Sequence, residues 1–194
     1  MSAGRIVLVR HGRSAHVPPP SDRWVDADGM RRWRVAYEAA GILPDDAPPR
    51  ELVAEAARAG VVAASDSPRA VASAERLAPG RPVLTSPLLR ESEIAIPRWL
   101  PLRWPMGVWA ACITLQWGYD ILRGRDAAPE ELARAAAAAR WLVPPARDGA
   151  TVVAVTHGVF RRLLARELLA EGWRGEPGRR SYRNWSAWGF RPAP

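Results

Sequence analysis

Two short apolar runs, far apart in the chain, each end in a histidine followed by glycine. No other feature constrains the fold as much. Residues 5–12 read R-I-V-L-V-R-H-G and residues 151–158 read T-V-V-A-V-T-H-G. Short runs of β-branched and aliphatic residues mark buried strands. The polar residues at the carboxyl ends of such strands are where an open α/β sheet keeps its binding crevice. Two imidazoles presented there, with Arg10 beside the first, describe a pocket for an oxyanion.

Between the two runs, strand and helix signals alternate. A helix is predicted over 28–40, stopped by Gly41 and Pro44, with Met30, Trp33 and Tyr37 on one face. A second helix near 50–59 is closed by Gly60. The strand 61–64 leads through Ser65-Asp66-Ser67-Pro68 into a helix reaching about Leu77, and Pro68 suits its first turn. Residues 81–84 read as a weak strand, 86–105 as irregular and rich in Pro and Trp, and 106–122 and 129–142 as helices. The strand 151–156 feeds a helix over 158–171, and a last strand is expected within 182–190. This alternation predicts a three-layer α/β/α domain around a mainly parallel sheet. A chain of 194 residues suits one such domain, 1–194, with 92–128 as a cap or insert.

Composition narrows the partners. The net charge is +8, and all 28 basic residues are arginine, without a single lysine. With abundant Ala, Gly and Pro, this reads as the coding bias of a GC-rich bacterial genome. A basic balance favours anionic partners, and the planar guanidinium fork suits phosphate. The arginines are scattered and form no recognised nucleic-acid module, so nucleic acid is set aside in favour of a small phosphorylated substrate. Cys112 is the only cysteine, which excludes an intramolecular disulfide, fits a reducing cytoplasm, and reads as a small buried hydrophobe. The first apolar run is too short for a signal peptide. Residues 104–119 carry no charge, but this stretch of 16 falls short of the roughly 20 residues a spanning helix needs. It is read as a buried or site-covering helix, with membrane-surface contact as the alternative. The three histidines lack the spacing of a zinc or iron site, so no metal and no cofactor is expected.

The ordered set of strand-end motifs is more specific than any one of them. Arg10-His11-Gly12 follows the first strand, Ser65-Asp66-x-x-Arg69-Ala70 the second, and Thr156-His157-Gly158 a late one, with Glu91 in L-L-R-E between them. In that order, spanning residues 5–165, they resemble the histidine phosphatase superfamily, whose members share a phosphoglycerate mutase-like fold. The resemblance implies a phosphatase that hydrolyses a phosphomonoester without metal, through a phosphohistidine on His11. Arg10 and Arg69 would hold the phosphoryl oxygens, and His157 would donate where charge develops. Gly12 and Gly158 would permit close backbone approach, and amides at the start of the 158–171 helix would add donors.

The resemblance implies a glutamate as proton donor after L-x-E, which is Glu91 here, with Glu93 as the alternative acid. A general acid at neutral pH needs a raised pKa, which apolar neighbours such as Ile94, Ile96 and Trp99 would supply. The chain departs from the family pattern in lacking the glycines and tryptophan that usually follow the glutamate. Val17 stands where the family often has a phosphate-binding Asn, so that contact is either absent or supplied by Ser14, Arg13 or His16. Ala72-Ser73 replaces the usual Gln-Thr. His16 is read as a solvated loop residue, and Arg31, Arg32 and Arg34 as a solvated helix face. These departures keep a second reading open, a catalytically impaired anion-binding or regulatory protein. A phosphomutase is disfavoured because nothing resembles the extra substrate-handling segments of the mutases.

Overall fold

The computed structural model describes residues 4–17, 20, 23–93, 103–124, 127–178 and 180–193. Its main sheet has six strands: β1 (Arg5–Arg10), β3 (Val61–Ser65), β4 (Leu84–Ser86), β6 (Thr151–Thr156), β7 (Trp173–Gly175) and β8 (Ala187–Pro192). Their spatial order is β4-β3-β6-β1-β8-β7. The first four are mutually parallel, whereas β8 runs antiparallel to β1 and β7 antiparallel to β8. Two further strands, β2 (Trp24–Val25) and β5 (Trp104–Pro105), pair with each other in a small separate sheet.

Alternation along β1 and β6 explains the layering, since successive side chains leave a strand on opposite faces. Ile6, Leu8, Val152 and Ala154 join one buried cluster with α5 (Pro129–Arg147) and α6 (Phe160–Ala170). Val7, Val9, Val153 and Val155 join a second with α2 (Arg50–Arg58) and α3 (Pro68–Leu77). The result is the mainly parallel three-layer sandwich that the strand–helix alternation predicts. A smaller cluster of Met30, Met106 and Trp109 ties α1 (Ala27–Ala39) to α4 (Met106–Leu122) beside the two-stranded sheet. The Asp26 carboxylate accepts from the Gly29 amide at 2.6 Å and so fixes the start of α1.

Several boundaries differ from the sequence reading, each for a local reason. The weak strand lies at 84–86 rather than 81–84 because the backbone amide of Arg81 closes a turn onto the Ala78 carbonyl at 3.2 Å. The Arg81 guanidinium donates to the carbonyls of Ala56 and Ala57 at 2.8 Å and of Ala59 at 2.5 Å, satisfying the open end of α2. Helix α5 runs past 142 through Pro144 and Pro145, held by burial of Leu142, Val143 and Ala146. Helix α6 starts at Phe160, not 158. Of the reading of 104–119 as a buried or site-covering helix, burial is corrected: only Met106 and Trp109 of α4 are buried, and Leu115 is 73% and Leu122 86% exposed. No helix among the described residues is long and apolar enough to cross a membrane.

Candidate active site

Strand register brings the two histidines together. Arg10 pairs with Thr156 across the β1–β6 ladder, so His11 and His157 each stand one residue beyond a matched pair. The His11 amide continues the ladder by donating to the Thr156 carbonyl at 3.0 Å. The two rings lie with centroids 5.1 Å apart. Strand β3 lies on the other side of β6, and α3 rises from its carboxyl end to deliver Arg69 to the same place. His11, Arg69 and His157 are all buried, at 1%, 0% and 0% exposure.

The hydrogen bonds assign both imidazole tautomers. His11 Nδ1 lies 2.6 Å from the Gly12 carbonyl, an acceptor, so Nδ1 carries the proton and Nε2 the lone pair. Burial lowers the His11 pKa to about 3, and Arg69, Arg10 and Arg161 add to the shift by opposing a second positive charge. His157 Nδ1 lies 3.2 Å from Arg69 Nη2, and a guanidinium only donates, so this nitrogen accepts. The His157 proton is therefore on Nε2, which donates to Ser67 Oγ at 3.2 Å. Burial is also the main cause of a His157 pKa well below the usual imidazole range, reinforced by His11 and Arg69.

Four arginines surround this pair. Arg69 donates through Nη2 to Glu38 Oε2 at 2.8 Å and through Nη1 to the Tyr37 carbonyl at 3.2 Å, and its guanidinium lies over the Tyr37 ring. Arg10 packs against Gly158 and donates to the Tyr182 carbonyl, while its Nε is buried without a partner. Arg161 is fully buried and donates to the carbonyls of Ser181 at 2.8 Å and Ser186 at 2.5 Å. Burial, then the Arg10 charge, lowers its pKa to about 10, so it remains a cation at neutral pH. Arg134 on α5 spans the segment before Glu91, donating to the carbonyls of Leu88 at 3.1 Å and Arg90 at 2.7 Å.

That segment carries both candidate acids. Thr156 Oγ1 donates to the Leu89 carbonyl at 2.8 Å, and Glu91 Oε1 accepts from the Phe160 amide at 2.9 Å and the Ser92 amide at 3.0 Å. The amide at the start of α6 is thus taken by Glu91 rather than left open for an anion. Glu91 and Glu93 both line a cavity of about 520 Å³ that also reaches Glu38, Asp66 and Ser67. Ile94, Ile96 and Trp99 lie outside the described residues.

The two glycines are unequal. A Cβ on Gly12 would sit 2.6 Å from the Trp185 ring and 2.7 Å from Asp46 Oδ2, whereas one on Gly158 would meet Arg10 Nε at an ordinary 3.4 Å. Close approach is a requirement only at Gly12. The Gly12 amide donates to Ser73 Oγ at 2.9 Å, which gives the Ala72-Ser73 departure a use. Ser14 bridges to Ile42 at the edge of the site, and its hydroxyl accepts from the His16 amide at 3.2 Å. His16 is half-buried with its ring 5.9 Å from that of Trp33, not solvated as a loop residue would be. Arg34 is likewise not a free helix-face cation, since its Nε donates to Glu38 Oε1 at 2.9 Å.

Residues from the 40s and 180s complete the loop's support without having been singled out for it. Asp46 accepts from the Arg13 amide, Arg13 Nε and Trp185 Nε1, each at 2.6 Å. Burial alone would raise the Asp46 carboxyl, but these bonds outweigh it and hold the group below the ordinary carboxylate range. Asn184 Nδ2 donates to the carbonyls of His11 at 2.9 Å and Gly12 at 3.1 Å. Trp185 adopts a left-handed φ of 59°, held by its amide bond to the Arg10 carbonyl at 3.1 Å. In the sequence, Asn184-Trp185-Ser186 had only the pattern of a glycosylation acceptor to mark it.

No protein-family model and no curated protein sequence matches this chain. Solved structures do. A mycobacterial glucosyl-3-phosphoglycerate phosphatase complexed with VO3 is 22% identical with a TM-score of 0.55, covering 87% of this chain and 83% of its own. A structure described as mycobacterial hydrolase 2 is 21% identical with a TM-score of 0.54, covering 88% of this chain and 74% of its own. The ecdysone phosphate phosphatase of Bombix mori, complexed with tungstate, is 16% identical with a TM-score of 0.50, covering 85% and 77% respectively. Likeness at this level of identity speaks to architecture, and the chain has the phosphoglycerate mutase-like fold of these phosphatases.

Proposed function

We propose that the protein is a metal-independent phosphatase that hydrolyses a small phosphomonoester through a phosphohistidine on His11. One observation carries the reading: burial, with the nearby guanidiniums, keeps His11 neutral against the opposing pull of the Gly12 carbonyl, and the Nδ1 bond to that carbonyl leaves the lone pair on Nε2. A neutral imidazole beside several guanidiniums is a nucleophile matched to a phosphoryl group. In the first step Nε2 attacks phosphorus, the ester P–O bond breaks, and the leaving alkoxide takes a proton from the acid, for which Glu91 leads and Glu93 is the alternative. In the second, water attacks the phosphohistidine, the P–N bond breaks, and the carboxylate takes the proton from water.

Arg10 and Arg69 would hold the phosphoryl oxygens, with the Nε2 proton of His157 as a further donor. For Arg69 this means exchanging part of its contact with Glu38, and for His157 exchanging Ser67 Oγ, for the phosphoryl group. Gly12 and Ser14 shape the loop that borders that site. The two structural relatives complexed with VO3 and tungstate are phosphatases binding phosphate-like oxyanions, which supports the same chemistry here. The layer of α1, β2, β5 and α4 would form the cap within 92–128 and its neighbours, on one domain spanning 1–194. The single cysteine supports a cytoplasmic location.

Hydrolysis of p-nitrophenyl phosphate in the presence of a chelator, comparing wild type with His11→Ala, tests the proposal. Turnover that survives chelation and is abolished by the substitution is expected. Phosphate binding without turnover in the wild type would instead support an anion-binding protein.

A further inference from the structure

The cavity beside the candidate site has a charge pattern opposite to that of the whole chain. Although the net charge is +8, the described residues lining this space include four carboxylates (Glu38, Asp66, Glu91, Glu93) and two guanidiniums (Arg34, Arg90). Both guanidiniums are already engaged. Arg90 holds Asp66 by two parallel bonds, at 2.7 and 2.5 Å, and Arg34 holds Glu38 at 2.9 Å. Glu38 in turn bridges to Arg69, with one carboxylate oxygen on each arginine. Counting Arg69, three guanidiniums face these four carboxylates, so the described lining offers hydrogen-bond acceptors and cations that are all already committed. A separate cavity of about 490 Å³, lined by Arg23, Arg32 and Arg103, shares no lining residue with it.

Resting on the phosphatase reading above, we propose that the substrate is the phosphomonoester of a polyol or an amino alcohol, without a second anionic group. The phosphoryl group would be drawn to Arg10 and Arg69, leaving the alcohol portion in the acidic cavity. Hydroxyl or ammonium groups there would donate to Asp66, Glu93 or Glu38. A carboxylate or second phosphate would face these carboxylates with no free guanidinium among the described lining residues to receive it, and such juxtaposition is a strong source of discrimination.

The test is kcat/KM on glycerol 3-phosphate, 3-phosphoglycerate and O-phosphoethanolamine, with p-nitrophenyl phosphate as a reference for the chemistry itself. The first two differ chiefly in a hydroxymethyl group against a carboxylate. Glycerol 3-phosphate and O-phosphoethanolamine are expected to exceed 3-phosphoglycerate by about tenfold or more, the scale of one like-charge contact. Asp66→Asn, which leaves Arg90 without its carboxylate, is expected to narrow that gap by raising the relative rate on 3-phosphoglycerate. Turnover of p-nitrophenyl phosphate with 3-phosphoglycerate equal to or better than glycerol 3-phosphate would overturn the inference alone. Failure to hydrolyse any of the four esters would overturn the phosphatase reading and the inference with it.

Discussion

Arg69 Nη2 donates to His157 Nδ1 across 3.2 Å, and this bond fixes where the His157 proton resides. A neutral imidazole has one N–H, so a guanidinium on Nδ1 leaves the proton on Nε2. Nitrogen-15 NMR of the histidines should show His157 with protonated Nε2 and His11 with protonated Nδ1, two opposite tautomers in adjacent rings. The same tautomer in both would contradict the assignment.

His157→Ala should lower kcat by about 10²–10³ while leaving the fold intact, the loss typical of one aligned donor to a developing oxyanion. Steady-state kinetics with circular dichroism as a fold control would measure it. A loss confined to KM would mean that His157 binds the ground state and does not act on the transition state.

The buried histidines make stability depend on pH. His11 has a folded pKa of about 3, below its ordinary 6.5, so the unfolded chain binds more protons between those values. Its contribution is fully present above pH 6.5 and is lost as pH falls toward 3. At pH 5 the His11 share of the loss is about 2 kcal/mol relative to neutral pH, and His157 acts in the same direction. Urea denaturation from pH 7.5 to 5 should show this slope, and His11→Asn should flatten part of it. An unchanged midpoint in wild type would refute the buried neutral pair.

Glu91 and Glu93 are separated by leaving-group chemistry. An alkyl phosphate needs a proton on its departing oxygen, whereas p-nitrophenolate leaves well without one. Glu91→Gln should therefore cost about 10²–10⁴ in kcat on an alkyl ester and far less on p-nitrophenyl phosphate. Arg134→Ala, which frees the carbonyls of Leu88 and Arg90 from α5, should reproduce the same asymmetry more weakly. If Glu93→Gln shows the large asymmetry and Glu91→Gln does not, the acid is Glu93.

Gly12→Ala should destabilise the protein by about 1–3 kcal/mol, as overpacking against a buried ring and carboxylate does. Gly158→Ala should be milder, because its added methyl would lie at ordinary contact distance from Arg10. Thermal denaturation of the two variants would rank them, and the reverse order would contradict the packing around Trp185.

The parts of the fold legible in the sequence were those encoded locally. Strands β1 and β6 are continuous apolar runs, and Pro68 and Glu130-Glu131 mark helix starts by their own chemistry. Arg10, His11, Arg69 and His157 could be picked out because each lies at or shortly beyond the carboxyl end of a strand, and sheet order then makes them neighbours. Contacts between distant loops left no such trace. Asn184 reaches the His11 carbonyl across 173 positions and Trp185 reaches Asp46 across 139, with no periodicity to link them. Glu38 belongs to no motif on the helix 28–40, and only the packing of α1 brings it to Arg69. For α4, apolar composition suggested burial, but burial needs a partner surface, and Leu115 and Leu122 have none among the described residues.

The proposed chemistry turns on His11 as the nucleophile. A rapid alkaline quench during turnover, followed by peptide mapping, would reveal any covalent phosphoryl group, since a phosphohistidine survives base and is lost in acid. The predicted result is a phosphoryl group on His11, formed before product release and absent from His11→Ala. Steady hydrolysis with no such adduct, or with the phosphoryl group on another residue, would contradict it.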